Sequence, residues 1–266
     1  MPVWKTKPDL LSLCMKSILT QTYTDFEFLI IYQKSFEEVD NQIEQIFNEN
    51  SDDHRLKIIE TKMPGFTNSL NLGLLHSKGE YVARMDGDDI SEITRFEEQL
   101  NHLKQTKTDL VGSWAYSIAE NGNVLGRIET PVSHSDIRKK IMFHNPFLHS
   151  SILLRKNIFE KIGKYNPIFE GAEDYDLYFR IIAGNHKVSN IPKYLIKLRE
   201  TKGSIMRRSG WQKRRLTYLN VKKNAVKNLG FNSFLDRFYY SLTPLTLLLS
   251  PKFAFVLKNK IGYHKK

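Results

Sequence analysis

The chain has 266 residues, of which 41% are hydrophobic and 12% aromatic, values typical of a globular protein and not of a disordered one. Its one cysteine, Cys14, excludes an internal disulfide and a cysteine-rich zinc site and favours a reduced, cytosolic setting. The net charge of +11 is unevenly distributed. Residues 202–266 contain 15 Lys/Arg and one acidic residue, a net of +14, which leaves −3 for residues 1–201. This asymmetry predicts two units, a body and a basic tail.

The first half of the chain alternates apolar runs with segments of helical spacing. The predicted strands are Met1–Trp4, Phe26–Tyr32, Leu56–Glu60 and a run that ends at Met85, and the predicted helices between them are Asp9–Gln21, Phe36–Asn48 and Asn68–His76. Helix Glu92–Leu103, strand Leu110–Ile118 and a hairpin at Asn121–Asn123 follow. This rhythm predicts an α/β fold with a largely parallel sheet covered on both faces.

Three aspartates, Asp86, Asp88 and Asp89, directly follow the strand that ends at Met85. In an open α/β sheet, ligands bind at the carboxyl ends of the strands. Carboxylates crowded this closely are stabilised by a hard divalent cation, which often also binds phosphate oxygens. The cluster therefore predicts a site for a metal and a diphosphate, with a solvated acidic loop as the alternative.

The basic tail contains two segments that are predicted to be helical, one basic and one apolar. Residues Trp211–Leu229 are predicted as a basic helix that ends at Gly230. The stretch Phe238–Leu257 is apolar, but two prolines interrupt it too strongly for a transmembrane span. Two interpretations remain open: short paired helices that lie in a bilayer interface, with lysines facing anionic head groups, or a helical subdomain that packs on the body.

Four blocks of sequence occur in an order and spacing that identify a family. They are Ser17–Glu27; Asn68–Gly73 and Gly79–Ile90 with Arg95–Glu97; Asn145–Ser151; and Glu173–Arg180. Together they resemble the family 2 glycosyltransferases, which have the GT-A fold. The resemblance implies a GT-A domain over residues 1–205, with a mixed, mostly parallel sheet and helices on both faces. Residues 206–266 would then be a basic amphipathic segment that can associate with a membrane.

The implied reaction moves a sugar from a nucleotide-diphosphate donor, a UDP-sugar by preference, to an acceptor hydroxyl with inversion at the anomeric carbon. By resemblance, Asp88 together with Asp86 would hold Mn²⁺ or Mg²⁺ at the donor diphosphate. Asp174, with Glu173 beside it, would be the catalytic base that takes the acceptor's proton. A carboxylate in the first turn of a helix is favoured as the anion, ready to accept that proton.

The resemblance also implies residues that contact the donor and the acceptor. Those expected at the nucleotide-sugar are Pro2, Tyr32, Gln33, Asn71, Arg84, Asp86 and Gly87, and those expected on the acceptor side are His149 and Arg180. Tyr32 could stack on the base and Gln33 could bond a uracil. Purely structural roles remain open for Asn71, Arg84 and His149.

The sequence departs from the family pattern at three places. The family's first strand begins several residues before the segment that Met1–Trp4 matches. The acidic pair expected after the second strand is replaced by Tyr32–Ser35, and Thr201 stands near the position of a metal-binding histidine. These departures weaken the predictions of the donor's identity and of full catalytic activity.

The expected role is synthesis of a bacterial capsule, exopolysaccharide or O-antigen at the cytoplasmic face of the membrane. The acceptor would be a glycan or a polyprenyl-linked glycan, and no nucleic acid is expected as a partner. Two alternatives stay open. One is a catalytically impaired, glycosyltransferase-like binding protein. The other is a haloacid-dehalogenase-type phosphatase, whose acids normally follow the first strand of the core.

Overall fold

The structure, a computed structural model, describes residues 1–35, 37–200, 211–244 and 264–265. The strands are β1 (Pro2–Val3), β2 (Phe28–Gln33), β3 (Leu56–Thr61), β4 (Tyr81–Ala83), β5 (Ile90–Ser91), β6 (Leu110–Ala119), β7 (Val124–Ile128), β8 (Leu153–Arg155), β9 (Val188–Glu200) and β10 (His264–Lys265). The α-helices are α1 (Pro8–Leu19), α2 (Glu38–Glu49), α3 (Phe66–His76), α4 (Arg95–Thr106), α5 (His134–Lys140), α6 (Ile158–Ile162), α7 (Glu173–Ala183), α8 (Trp211–Asn228) and α9 (Phe234–Leu242).

The strands form two sheets, and the α/β fold class is confirmed. In the first sheet β1, β2 and β3 are parallel neighbours, as the strand–helix alternation predicts. The second sheet is mixed: β6 pairs with β9 in parallel but with β7 and β8 antiparallel, and β4 also pairs with β8 antiparallel. The alternation ends after α4, since β6 turns back into β7 through the predicted hairpin.

The first core lies between the three-stranded sheet and its helices. In α1 the buried residues are Leu10, Leu11, Cys14, Met15 and Ile18, whose spacing places them along one side of the helix. All of these except Leu10 belong to the same buried cluster as Ile30 of β2 and Phe96 of α4. This packing fixes the parallel sheet, and with it the edge where β1 and β2 end.

A second core surrounds α7 and extends into the C-terminal helices. Val221 and Ala225 of α8 are buried in the same cluster as Tyr175 of α7. The ring of Phe231, between α8 and α9, meets Phe179 edge-on, with 4.7 Å between centroids. In the described part of the tail, residues 211–244, the helices therefore pack on the body.

The remaining tail predictions concern residues that the structure leaves largely undescribed. The expected boundary near residue 205 and the apolar residues 245–257 lie outside the described residues, so the two-unit division stays a prediction. Within residues 1–35, 37–200 and 211–244, no helix combines the length and the apolar character that crossing a bilayer requires.

Candidate active site

The acidic cluster forms where the chain leaves β4. The carboxylates of Asp86, Asp88 and Asp89 each offer an oxygen, and these oxygens all lie within 4.8 Å of one another. Asp86 and Asp88 are half-buried, whereas Asp89 is only 4% exposed. The structure thus brings together the three carboxylates that the sequence places in one turn.

Ser150, in the segment between α5 and β8, contacts this cluster. Its hydroxyl lies within hydrogen-bonding distance of a carboxylate oxygen of Asp86, at 3.1 Å, and of Asp89. The Ser150 hydroxyl oxygen also accepts a hydrogen bond from the Arg84 guanidinium at 2.8 Å. Arg84 also forms an ion pair with Asp86. A buried cation and one hydroxyl therefore orient the two carboxylates.

Two further arginines fix the backbone around the cluster. Arg95 is fully buried and donates to the carbonyl oxygens of Arg84, at 2.9 Å, and Ile152, at 3.2 Å. Arg199, at the end of β9, donates from Nε to the Asp88 carbonyl at 2.8 Å. Its backbone N–H donates to an Asp89 carboxylate oxygen at 2.8 Å. The loop is held from both sides, so the carboxylates keep their positions.

The electrostatics of the cluster fit a hard divalent cation. Burial raises the pKa of Asp89, and the negative charges of Asp86 and Asp88 raise it further. Three carboxylates in so small a volume repel one another, and oxygen donors of this type are those that Mg²⁺ and Mn²⁺ prefer. The residues present therefore fit the metal that the sequence predicts.

The second acidic group begins helix α7. Glu173 is 5% exposed, and its carboxylate accepts a hydrogen bond from the Gly171 N–H at 2.6 Å. Asp174 is half-buried and accepts from the Asn145 side-chain amide at 2.8 Å and from the Tyr175 N–H at 2.7 Å. Asp174 is thus the more exposed residue of the pair.

Burial also governs the proton affinity of this pair. It raises the pKa of Asp174, while the charge of Arg214 from α8 and the Asn145 amide act in the opposite sense. Burial likewise raises the pKa of Glu173, and the neighbouring Asp174 charge adds to that effect. A carboxylate with a raised pKa is a stronger base, so the environment favours proton transfer to Asp174.

One chain segment and one arginine link the two acidic groups. Asn145 bonds Asp174, and five residues later Ser150 bonds the acidic cluster. Arg84 pairs with Asp86, and its charge also opposes the effect of burial on the pKa of Asp174. Arg84 and the connection 145–150 therefore interact with both acidic groups.

Three of the residues predicted to contact ligands are committed to other contacts. Tyr32 is fully buried, and its hydroxyl donates to Asp40 at 2.6 Å, so no face of the ring is open to a base. The Asn71 amide donates to the Tyr165 carbonyl and accepts from the Tyr165 N–H, which makes it a backbone clamp.

Arg180 is the third such residue, and the acceptor-side prediction for it does not agree with its position. Its guanidinium pairs with Asp176 at 2.8 Å and donates to the carbonyls of Ile162, Gly163 and Lys164. It lies near the carboxyl end of α7, whereas Asp174 lies at the amino end. Arg180 therefore joins α7 to the segment after α6.

The other predicted residues are nearer to the cluster. Gly87 is buried in the acidic turn, where an added Cβ would lie 3.5 Å from the Thr6 side chain and 3.6 Å from Val3. Pro2 and Gln33, both half-buried, are in β1 and at the end of β2. His149 hydrogen-bonds the Tyr165 hydroxyl at 3.0 Å, and burial lowers its pKa well below the usual value, so it is neutral.

Sequence analysis assigned no role to several residues that the structure places at the two acidic groups. Asn145 and Ser150 belong to a block that marks the family resemblance, and this was the one signal that could have singled them out. Arg199 and Arg214 come from the end of β9 and from the tail, far from either acidic group in sequence. Only the tertiary structure brings them close.

A cavity of about 770 Å³ is lined by residues of β2, β4 and α3. Its lining includes Glu27, Arg55 and Lys78, and also Arg84 and Met85, which directly precede the acidic cluster. Because Arg84 forms an ion pair with Asp86, the cavity lies next to the acidic cluster.

Comparison with known sequences gives a consistent result. A family model described as "Glycosyltransferase like family 2" matches residues 11–242. The amylovoran biosynthesis glycosyltransferase AmsE of Erwinia amylovora is 30% identical over 96% of this chain and 95% of its own length. The O-antigen biosynthesis glycosyltransferase WbnJ of Escherichia coli is 32% identical over 69% of this chain and 71% of its own.

Solved structures share the fold. Residues 1–349 of S. aureus TarS, in complex with UDP-GlcNAc, align with a TM-score of 0.71 at 16% identity, covering 97% of this chain and 74% of TarS 1–349. The mannosyltransferase PcManGT of Pyrobaculum calidifontis, in complex with GDP-Man and Mn²⁺, aligns with a TM-score of 0.65 at 15% identity, covering 98% and 77%.

Proposed function

This chain belongs to glycosyltransferase family 2 and is a glycosyltransferase, and from that premise we propose that it moves a sugar from a UDP-sugar to an acceptor hydroxyl with inversion at the anomeric carbon. The observation that carries the proposal is the position of Arg84. It pairs with an aspartate of the acidic cluster and its charge also reaches Asp174. A donor diphosphate and an acceptor hydroxyl need such adjacent sites.

The acidic cluster is the proposed diphosphate end of the cleft. Asp88 and Asp86 would hold Mn²⁺ or Mg²⁺, with Asp89 adding negative charge from beneath. When bound, the cation would neutralise the charge that develops on the departing nucleoside diphosphate. Ser150 and Arg84 keep the carboxylates in place, and the Mn²⁺ complex of PcManGT supports a metal in this fold.

Asp174 is the proposed base. Its carboxylate would accept the proton of the acceptor hydroxyl as that oxygen attacks the anomeric carbon from the face opposite the diphosphate. Burial raises the pKa of Asp174, and the amide of Asn145 holds its oxygen in a fixed direction. Glu173 is buried beneath Gly171, so its proposed role is to support the base.

For the donor, the UDP-GlcNAc complex of TarS supports a UDP-sugar. Because the Tyr32 ring is buried in the core, we propose that Gln33 at the end of β2, and not Tyr32, contacts the base. Pro2 and Gly87 would line the same side of the nucleotide.

For the acceptor, the names of AmsE and WbnJ support a role in surface polysaccharide synthesis. We propose a glycan or polyprenyl-linked glycan acceptor, with His149 on the acceptor side, at the cytoplasmic face of the membrane. The basic tail, with a net charge of +14 over residues 202–266, supports attraction to anionic lipid.

A thermal-shift screen of nucleotide-sugars, with and without Mn²⁺ or Mg²⁺, tests the proposal. A true donor should raise the unfolding midpoint only when the metal is present, because a ligand that binds the native state stabilises it. Transfer to an acceptor should follow by product analysis. Donor binding without transfer under any acceptor condition would favour the catalytically impaired alternative. Phosphate release from simple esters without sugar transfer would favour the phosphatase.

A further inference from the structure

Helix α9 carries an apolar face that is open to solvent. Phe234 is 84% exposed, Leu235 51%, Phe238 48% and Leu242 39%. At 100° per residue these four positions lie within an arc of about 100°. The phenyl rings of Phe234 and Phe238 stack on each other, 6.5 Å apart. Isolated exposed apolar residues are common, but a contiguous face of four marks an interaction surface.

The opposite side of α9 is fixed to the body. Asp236 is 2% exposed, accepts hydrogen bonds from the backbone and hydroxyl of Ser233, and pairs with the Arg138 guanidinium through two contacts of 2.9 Å. Arg138 in turn lies over the Phe231 ring at 4.0 Å. The helix therefore has one orientation, and its apolar face points away from the protein.

The charge around this face is strongly positive. Residues 211–244 contain seven Lys/Arg and a single acidic residue, Asp236, which the ion pair with Arg138 neutralises. Lys223, Lys227 and Arg237 are exposed. An apolar helix face beside lysines and arginines is the pattern of an interfacial membrane helix. A second copy docked on the same face would bring two basic segments together and be repelled.

The Phe143 ring links the apolar face of α9 to the segment that contacts the proposed base. Phe143 is 46% exposed and contacts Tyr239 of α9, with 5.4 Å between ring centroids, and Tyr239 contacts Phe238 of the face. Two residues after Phe143, Asn145 bonds Asp174. The exposed apolar side chains thus extend to a residue two positions from Asn145 in the sequence.

We propose that the α9 face, formed by Phe143, Phe234, Leu235, Phe238 and Leu242, docks on an anionic bilayer and holds the Asp174 cleft toward acceptors anchored in that bilayer. The exposed apolar side chains of α9 and the positive charges around them support docking on a bilayer. The orientation of Asp174 toward membrane-anchored acceptors rests on the proposed function. The predicted paired helices over Phe238–Leu257 lie largely outside the described residues and stay a prediction.

Vesicle flotation of the full chain tests the docking. The wild-type protein should float with vesicles that contain phosphatidylglycerol, and less with pure phosphatidylcholine or at high salt. The F234S/F238S variant should lose at least about tenfold in vesicle partition, because two exposed phenyl groups no longer enter the interface. The matched control V124S/L125S changes two residues of similar exposure, 60% and 53%, on the β6–β7 hairpin and should float like the wild type.

Several results would overturn the docking proposal. They are wild-type protein that stays in solution, a double variant that floats like the wild type, and a control variant that loses as much partition as the double variant. A wild-type dimer that F234S/F238S dissociates, with unchanged flotation, would assign the face to a second copy.

Donor binding separates this proposal from the proposed function. A metal-dependent thermal shift with a nucleotide-sugar should be equal in the wild type and F234S/F238S, since α9 is not at the donor site. If the shift is present and flotation is absent, docking fails and the glycosyltransferase proposal stands. If flotation occurs and no nucleotide-sugar shifts the unfolding midpoint, the docking proposal stands and the proposed donor function fails.

Discussion

The acidic cluster after β4 and the acid pair at the start of α7 use the same side chain in two different environments. Around Asp86 and Asp89, a guanidinium and a hydroxyl direct carboxylates toward one point. Among the described residues, the hydrogen-bond donors to Asp174 are the Asn145 amide and the Tyr175 N–H, and the charge of Arg214 opposes the effect of burial on its pKa. The contrast indicates that the surroundings, and not the residue type, would separate the proposed cation site from the proposed proton acceptor.

The largest effect should come from removing the proton acceptor. D174N keeps the shape of the side chain but cannot take a proton, so we expect turnover to fall by about 10²–10⁴-fold. Metal-dependent donor binding, measured by thermal shift, should stay close to that of the wild type. E173Q is the control and should cost much less. Near-normal turnover of D174N would assign the base elsewhere.

The next largest effect should come from removing a proposed metal ligand in the acidic cluster. D88A removes a proposed metal ligand, so donor binding should become weak and nearly independent of Mn²⁺, with activity reduced at least about 100-fold. Titration of the nucleotide-sugar with and without metal measures this. D109A, which alters a carboxylate that interacts with His186, should bind donor normally. Unchanged metal dependence in D88A would contradict the site.

A smaller effect should follow from removing the Ser150 hydroxyl, which contacts the acidic cluster. S150A removes the hydroxyl that lies between Arg84 and the two carboxylates, so metal affinity should fall by about 10–100-fold while the fold remains. Isothermal titration with Mn²⁺ provides the measurement. S151A is matched in size, and its hydroxyl bonds Ser113 and Leu148 instead. Equal losses in both variants would indicate a general packing defect.

The smallest effect concerns the pH dependence of the base. Asn145 donates to Asp174 and lowers its pKa. N145D replaces this donor with a second carboxylate, so the pKa of Asp174 should rise further. Because the base works only when deprotonated, the acid limb of the kcat/KM profile should move up by about one pH unit. N145A should shift it less, in the same direction. A limb that stays in place would show that Asp174 does not control it.

The amino-acid sequence alone predicts most of the helices and strands in the first half of the chain and the chemistry of individual positions. Apolar runs and helical spacing locate β1 to β3 and α1 to α4, because burial on one side imposes those periods. The three aspartates must emerge together because they share one short turn, and Glu173 and Asp174 begin a helix as predicted.

Which side chains contact each other depends on how the helices and sheets pack. Tyr32 was expected to stack on a base, yet β2 lies inside the core and directs that ring toward Phe47. Arg180 was expected at the acceptor, yet at 3.6 residues per turn it is well over a turn from Asp174 and faces the carbonyls after α6. Asn145, Ser150, Arg199 and Arg214 reach the two acidic groups from distant segments. Local sequence patterns reflect burial within one element, whereas contacts between elements depend on how the helices and sheets pack.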